Sequence, residues 1–501
     1  MPKIIIRDRD LTTAVGSITS SYGVFVPGLV GSGAPSNYPT TATEYTSLAA
    51  FKADMGSAPQ ELASGITDIG YMYACELLGA GLPVIYKTIP LVTTLASQQD
   101  YFTETFQSGV STISKNPVGN TEPGTTNLVD SMTVFNENGD TLTGIESITV
   151  DSTLKITILL DSDSSTEYDD IYSVVYQYQP EGYVDPSTVS VEDICNAING
   201  DSTFFTEIVD RGLFDVSFVT TGGYPTVWSN SQGTRSNMIA KLTSICATRG
   251  DCFALIDFEQ DFQFKVGTDG SVVDGDGNAI PELSVETSAE DSFIIVPWTN
   301  FAPNYSGLSS GENFYFPGSF AFLKCFAGSI KTNNSWFATA GVRRGAVACN
   351  GVTQVITNTE ADSLQPAAGR SVNAITYIKP YGYVIYGNRT LFANNETGLV
   401  ANSFINIRQL VHDIKRQVYT VAKSLMFDPN DDILWVNFKN SMTPLLERMR
   451  SGQGISSFRL VKIRSSARGT MTAKIVVAPI EAVETFNITV ELTDEDVTVV
   501  G

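Results

Sequence analysis

The chain carries a single histidine, His412, followed directly by Asp413. An imidazole beside a carboxylate is the pairing from which general-base and nucleophilic sites are built. Here both residues fall in a helical stretch, where adjacent positions point in different directions, so the two cannot converge on one substrate. One histidine and six scattered cysteines (75, 195, 246, 252, 325 and 349), with no C-x-x-C, do not make a zinc ligand set of the usual types. Asp274-Gly-Asp276-Gly-Asn278 has the spacing of a calcium loop, but Ala279 stands where the loop needs glycine and Val285 where it needs a bidentate glutamate. It reads instead as a hairpin turn between Val272-Val273 and Ile280. Gly28, Gly31 and Gly33 match neither a dinucleotide fingerprint nor a phosphate loop with its lysine. Acidic residues are too numerous to single out a glycosidase pair. The sequence thus points to no catalytic residue, no cofactor and no metal.

Composition narrows the class further. A chain of 501 residues exceeds what one hydrophobic core usually supports, so several domains are expected. Apolar residues make up 42% and aromatic residues 10%, enough for packed cores, while only 17% are charged. The formal net charge of −23 argues against direct binding of nucleic acid, which needs a basic footprint. That charge is uneven: residues 402–470 hold eleven Lys and Arg against five acids. A basic region on an acidic protein fits an acidic partner surface, and equally a chance excess on a solvated face. Six cysteines without clustering read as buried free thiols kept in a reducing compartment. The apolar run at Ile4-Ile5-Ile6 is too short for a signal peptide, and no later segment approaches a membrane span.

Several elements are legible along the chain. Residues 1–20 are polar and strand-like around Ile4, Ile5 and Ile6. Tyr22–Val26 reads as a strand ended by Pro27-Gly28. Leu48, Phe51 and Met55 follow Ser47 at helical spacing, with Gly56 as stop. A second helix runs from Asp68 to Leu78 and is capped by Gly79-x-Gly81, and a strand spans 83–89. Alternation at Ile148/Val150 and at Leu154/Ile156/Ile158/Leu160, an apolar strand at 172–178, and turns at Asn138-Gly139 and 161–170 indicate an inserted, mostly antiparallel β domain. The α/β pattern resumes with Ser190 as a helix cap and a helix through Ile198. A strand at 214–219, a helix at 236–248 and a strand at 252–257 then have the spacing of a parallel βαβ unit.

In the last third, apolar residues at 407, 411, 414, 418, 421 and 425 predict an amphipathic helix over 403–426. Arg408, His412, Lys415, Arg416 and Lys423 fall on one flank of it. Asp428-Pro429-Asn430 ends it, a helix follows from about Asp431 with a restart or kink at Thr443-Pro444, and Gly452 and Gly454 stop that one. Strands are expected at 458–463 and 473–478. A terminal strand alternates Phe486, Ile488, Val490 and Leu492 with polar residues. Both chain ends are thus short apolar strands, which pair either within their own sheet or with another chain.

An ordered set of motifs carries a family resemblance. D-C-F-A-L-I-D-F at 251–258 and F-I-I-V-P-W at 293–298 are followed by Y-G-Y-V-I-Y-G-N-R-T-L at 381–391 and N-I-R-Q-L-V-H-D-I-K-R-Q-V at 406–418. Then come F-D-P-N at 427–430, W-V-N-F at 435–438 and L-L-E-R-M-R-S-G-Q-G-I at 445–455. In this order they resemble contractile tail sheath proteins of bacteriophages and related injection systems, although R-R-G-A-V-A-C-N at 343–350 departs from that family's pattern. The resemblance implies an α+β multidomain protein. Its parts are an N-terminal arm (1–20), a mixed α/β sheath core (21–108 and 187–369), an inserted outer antiparallel β domain (109–186), a C-terminal α/β inner domain (370–482) and a C-terminal arm (483–501), with terminal strands exchanged between subunits. It further implies a non-enzymatic subunit of stacked hexameric rings around an inner tail tube. Partners would be copies of itself, the tube, and baseplate and terminator proteins, in a virion tail assembled in the host cytoplasm. Ile4, Ile5, Ile6, Phe486, Ile488, Val490 and Leu492 would form the inter-subunit arms. Arg408, Lys415, Arg416 and Lys423 would face the tube. The competing readings are a cytoplasmic α/β enzyme with a β insertion and a non-contractile virion surface protein.

Overall fold

The computed structural model describes residues 22–30, 38–57, 61–63, 66–90, 101–105, 132–136, 139–151, 153–160, 173–177, 203–224, 227–229, 235–237, 239–280, 289–301, 314–366, 369–393, 399–463 and 471–482, with a few isolated positions between them. Both expected arms, at 1–20 and 483–501, lie outside the described residues, as does the helix start at Ser190.

A six-stranded sheet forms the centre. Its strands are β1 (Gly23–Val30), β2 (Thr43–Tyr45), β3 (Val84–Pro90), β4 (Val216–Val219), β5 (Phe253–Leu255) and β6 (Ser292–Phe293), in spatial order β6-β5-β4-β1-β3-β2. Every neighbouring pair is parallel except β2 with β3. Parallel strands need crossovers, and helices α1 (Leu48–Met55), α2 (Ile69–Ala80), α3 (Ile239–Arg249) and α4 (Gly318–Ile330) supply cover on both faces. Along β1 and β3 period-two alternation divides the side chains between those faces: Val24, Val26 and Val84 pack toward α2 and α4, whereas Phe25 and Ile85 pack toward α3. In β4 a register shift opposite Gly23 and Val24 breaks the alternation, so that Phe218 joins the first face while Val216 and Val219 both join the second.

Local signals set the first two helices as expected. Ser47 accepts a hydrogen bond from the Ala50 amide and Gly56 closes α1 at φ 94°. Asp68 accepts from the Gly70 and Tyr71 amides, and Gly81 ends α2 in the left-handed region. The expected stop at Pro27-Gly28 does not occur, because β1 continues to Val30. The Val24 amide points to the β3 side, where it meets the Pro83 carbonyl. The amide that Pro27 lacks would therefore face β4, whose pairing with β1 has already ended at Phe25. Gly28 is required here: a Cβ would stand 1.6 Å from the Tyr86 hydroxyl.

Two buried aspartates hold helix starts at the carboxyl edge of the sheet. Asp68 also accepts from the Tyr224 hydroxyl at 2.7 Å and the Tyr86 hydroxyl at 3.1 Å. Asp257, just beyond β5, accepts from the Ser319 hydroxyl at 2.7 Å in the first turn of α4. Burial raises both carboxyls despite these hydrogen bonds, Asp68 to about 6 and Asp257 to about 7. A folded-state value above the unfolded one gives a contribution to stability that is complete at low pH and lost as pH rises through the folded value. Asp257→Asn should therefore lose about 1–3 kcal/mol less than the native chain between pH 5 and pH 8 in urea unfolding. Parallel pH profiles for the two proteins would show that Asp257 does not titrate in this window.

An antiparallel unit lies between the α/β segments, and it includes strand 101–105, which the expected insertion at 109–186 leaves out. Strands 101–105, 173–177 and 132–135 form one sheet and 145–150 pairs with 156–160 as a hairpin, over a separate core of Met132, Val134, Ile148, Val150, Val174 and Tyr176. The turn at 136–140 closes with the Gly139 amide on the Asn136 carbonyl. The stretch at 274–278 is likewise a turn: the Asp274 side chain accepts from the amides of Asp276 and Asn278.

The F-I-I-V-P-W segment divides. β6 ends at Phe293, and β7 (Ile295–Val296) joins a second sheet beside β8 (Asn373–Ile378), which pairs with β9 (Gly382–Tyr386). Asn373 fastens the division, donating both its amide and its side-chain amide to the Ile294 carbonyl. Residues beyond 370 are thus hydrogen-bonded into the α/β body through β8.

Candidate functional site

After the second sheet come two 20-residue helices, α5 (Ile405–Ser424) and α6 (Asp432–Ser451). A strand pair follows, β10 (Ile455–Ile463) with β11 (Thr472–Pro479). Asp431 caps α6 by accepting from the Leu434 amide. Pro444 neither ends nor restarts α6, and the Thr443 hydroxyl donates to the Lys439 carbonyl at 2.7 Å in the turn that the proline disrupts. The chain leaves α6 through Gly452 and then Gln453, which takes the left-handed conformation at φ 60°. Leu410, Ile414, Phe438, Met442 and Leu446 fuse the helices into a core, with Phe458, Leu460, Ile475 and Val477 of the strand pair against it.

The first half of α5 is sunk into the body, so that polar residues of the expected basic flank are buried along with the apolar stripe. Arg408, expected at the tube, is 8% exposed and turned inward, its Nε 2.9 Å from Asp291 Oδ1. His412, fully buried, places Nε2 2.8 Å from the same oxygen and its ring 4.5 Å from that of Phe253. Burial lowers the imidazole to about 4, against the hydrogen bond and charge of Asp291, so it is neutral near pH 7. Burial by itself would raise the Asp291 carboxyl, but hydrogen bonds from His412 and Arg408 and the charge of Arg408 outweigh that and hold it below the usual range. Asp413 turns the other way, accepting from Ser335 and from Arg416, whose Nη1 lies 3.3 Å away. Arg416 Nη2 also donates to the Asp251 carbonyl at 2.7 Å.

The four-residue basic flank is therefore not one outward face. Arg408 and Arg416 lock α5 to the body, Lys415 is half-buried, and only Lys423 is fully exposed. His412 and Asp413 diverge, as adjacent helical positions should, and no shared catalytic geometry forms between them. Sequence reasoning missed the organising residue, Asp291, for which no local signal exists. It also gave no role to Phe427, although a phenylalanine directly before Asp428-Pro429-Asn430 lies off the apolar stripe of α5.

What stands open is the strand pair. β10 and β11 pair from Ile455 opposite Pro479 to Ile463 opposite Thr472, with one register shift between Ile455 and Ser457, and among the described residues no third strand pairs with either edge. A two-stranded sheet is marginal in water and its outer edges carry unused amides and carbonyls.

A doubly wound sheet with an antiparallel insertion, carrying a helical hairpin and an open strand pair, is a contractile-sheath fold. It matches the helical sheath of the anti-feeding prophage in its contracted state with TM-score 0.52 and 11% identity, over 99% of this chain and 99% of that one. In sequence the chain is similar to the tail sheath protein of Vibrio phage KVP40, 24% identical over 176 residues. That match takes in 33% of this chain and 25% of the phage protein, so the chain spans about a quarter of the length of the curated relative it matches. The crystal structure of the sheath tail protein from Desulfitobacterium hafniense is a more distant likeness, with TM-score 0.46 and 9% identity over 96% of this chain and 100% of that one. No protein-family model matches the chain. The resemblance read from the motifs between 251 and 455 is thus borne out by the fold and by a named relative.

Proposed function

We propose that this chain is the structural subunit of a contractile tail sheath. Copies stack as hexameric rings around an inner tail tube, between a baseplate and a tail terminator, in a virion tail or related device assembled in the host cytoplasm. Contraction then drives the tube through the target envelope. The observation that supports this best is the unfinished strand pair β10–β11, in a chain whose sequence is strand-forming near both ends. Ile4, Ile5 and Ile6 of one neighbour and Phe486, Ile488, Val490 and Leu492 of another add to its two edges by β-augmentation. Each main-chain hydrogen bond nets only about 0.5–1.5 kcal/mol, so one arm holds weakly and many arms together hold a particle. The tracts at 7–20 and 479–485 serve as hinges that preserve the pairing while rigid bodies change their packing, a bistable rearrangement that needs no nucleotide. Of the basic flank, Lys415 and Lys423 are left to meet an acidic tube by long-range attraction.

Deleting residues 483–501 tests this reading. The described cores contain none of those residues, so the truncated chain should fold with an unchanged unfolding midpoint, yet form no tubes in negative-stain microscopy. Tubes of normal length from the deletion protein would refute arm exchange.

A further inference from the structure

The corner between α5 and α6 holds an aromatic side chain with almost no contact to its own molecule. Phe427 is 99% exposed and sits at φ 71°, a left-handed conformation that a bulky residue seldom adopts. Met426 and Ile433 beside it are 60% and 66% exposed. Asp428, Asp431 and Asp432 lie within five residues of Phe427; Asp431 caps α6 and Asp432 is paired with Lys462 at 2.7 Å, which leaves Asp428 as the acid beside this apolar knob with no ion pair among the described residues.

A matching hollow lies at the other end of α6. It is a cavity of about 320 Å³ with an apolar floor that includes Ala321, Cys325 and Val347, and with Arg343 and Arg344 on its rim. Asn333 also lines it, while the following Asn334 and Trp336 donate to the Gly452 carbonyl where α6 ends. Lys324 in the wall is already paired with Glu76. Arg343 is exposed and has no ion-pair partner among the described residues. Twenty helical residues at about 1.5 Å each separate the knob from the hollow by roughly 30 Å, so one molecule cannot fill its own cavity.

We propose that the Phe427 corner of one copy seats in the Arg343-rimmed cavity of the next copy, as a contact between sheath subunits. This rests on the polymer reading above and adds to the strand exchange a side-chain contact of a different kind. An aromatic anchor entering a pocket is the usual centre of binding energy, and Asp428 meeting Arg343 sets its orientation. Knob and hollow are different surfaces, so the contact is heterologous and propagates into a ring or helix instead of closing as a dimer.

The test compares native chain and Phe427→Ala by sedimentation over a concentration series, without tube protein. Phe427 buries nothing in its own chain, so the variant should melt at the native temperature while its critical concentration for polymer rises about thirtyfold or more. A second measurement uses Cys325 in the cavity floor. Phe427→Cys polymers treated with a short bismaleimide should give a covalent ladder, and adding Cys325→Ser should abolish it. Polymerisation of Phe427→Ala at the native concentration overturns the proposal. A ladder that forms equally without Cys325 overturns it too. Should the native chain itself form no polymer, the sheath reading fails first and takes this contact with it.

Discussion

Replacing Asp291 by Ala should lower the unfolding free energy by about 3–5 kcal/mol, the range for breaking one side of a buried ion pair. The carboxylate is 4% exposed and one oxygen serves both Arg408 and His412. Its removal leaves a guanidinium desolvated with no counter-charge, which costs more than the pair was worth. Replacing the ion pair by apolar residues of similar volume, Asp291→Leu with Arg408→Met, should recover part of the loss: the guanidinium's desolvation penalty disappears together with the attraction, while the buried His412 Nε2 still loses its partner. Urea unfolding followed by circular dichroism reads both, as a shift in midpoint with unchanged slope. A loss under about 1 kcal/mol for Asp291→Ala is the value of a solvated surface pair, and would mean that α5 is not latched as described.

Phe253→Ala should cost a comparable amount, about 3–5 kcal/mol. The ring is fully buried in β5, stacked 6.0 Å from Phe218, edge-on to Phe293 at 5.3 Å and against His412 at 4.5 Å. Truncating it opens a void between the central sheet, α4 and α5, where the surrounding aromatic rings can close in only partly. Because His412 touches both Phe253 and Asp291, the double variant should lose less than the two single losses combined. Strict additivity in the same unfolding assay would show that the sheet core and the α5 latch are independent.

Much of the fold could be read locally. Ser47 with Gly56, and Asp68 with Gly81, mark both ends of their helices, because a cap is made with amides only two to four residues away. The helix expected at 403–426 is α5 at 405–424, and the strands expected at 458–463 and 473–478 fall within β10 and β11. The hairpin turn at 274–278 followed from the same reasoning, with Asp274 bonding its own loop. In each case the decisive hydrogen bonds or apolar periodicity lie within one turn or one strand.

The misreadings share a cause. Pro27 looked like a strand end, but its missing amide matters only on the side where β4 runs out, which depends on a partner about 190 residues distant. The F-I-I-V-P-W segment at 293–298 is an unbroken apolar run in the sequence, yet Asn373 holds it divided between two sheets. Arg408 and Arg416 have the spacing of a basic surface stripe, and periodicity counts them correctly. Their orientation was settled by Asp291, 117 residues away in the chain, and by the carbonyl of Asp251, 165 residues away. Capping and apolar spacing act through neighbours in the chain, so composition and order were enough to place helices, strands and the sheath resemblance. Which charged side chains are desolvated, and which strand edges and aromatic corners are left for other molecules, depends on contacts between remote segments, and these exist only once the chain has packed.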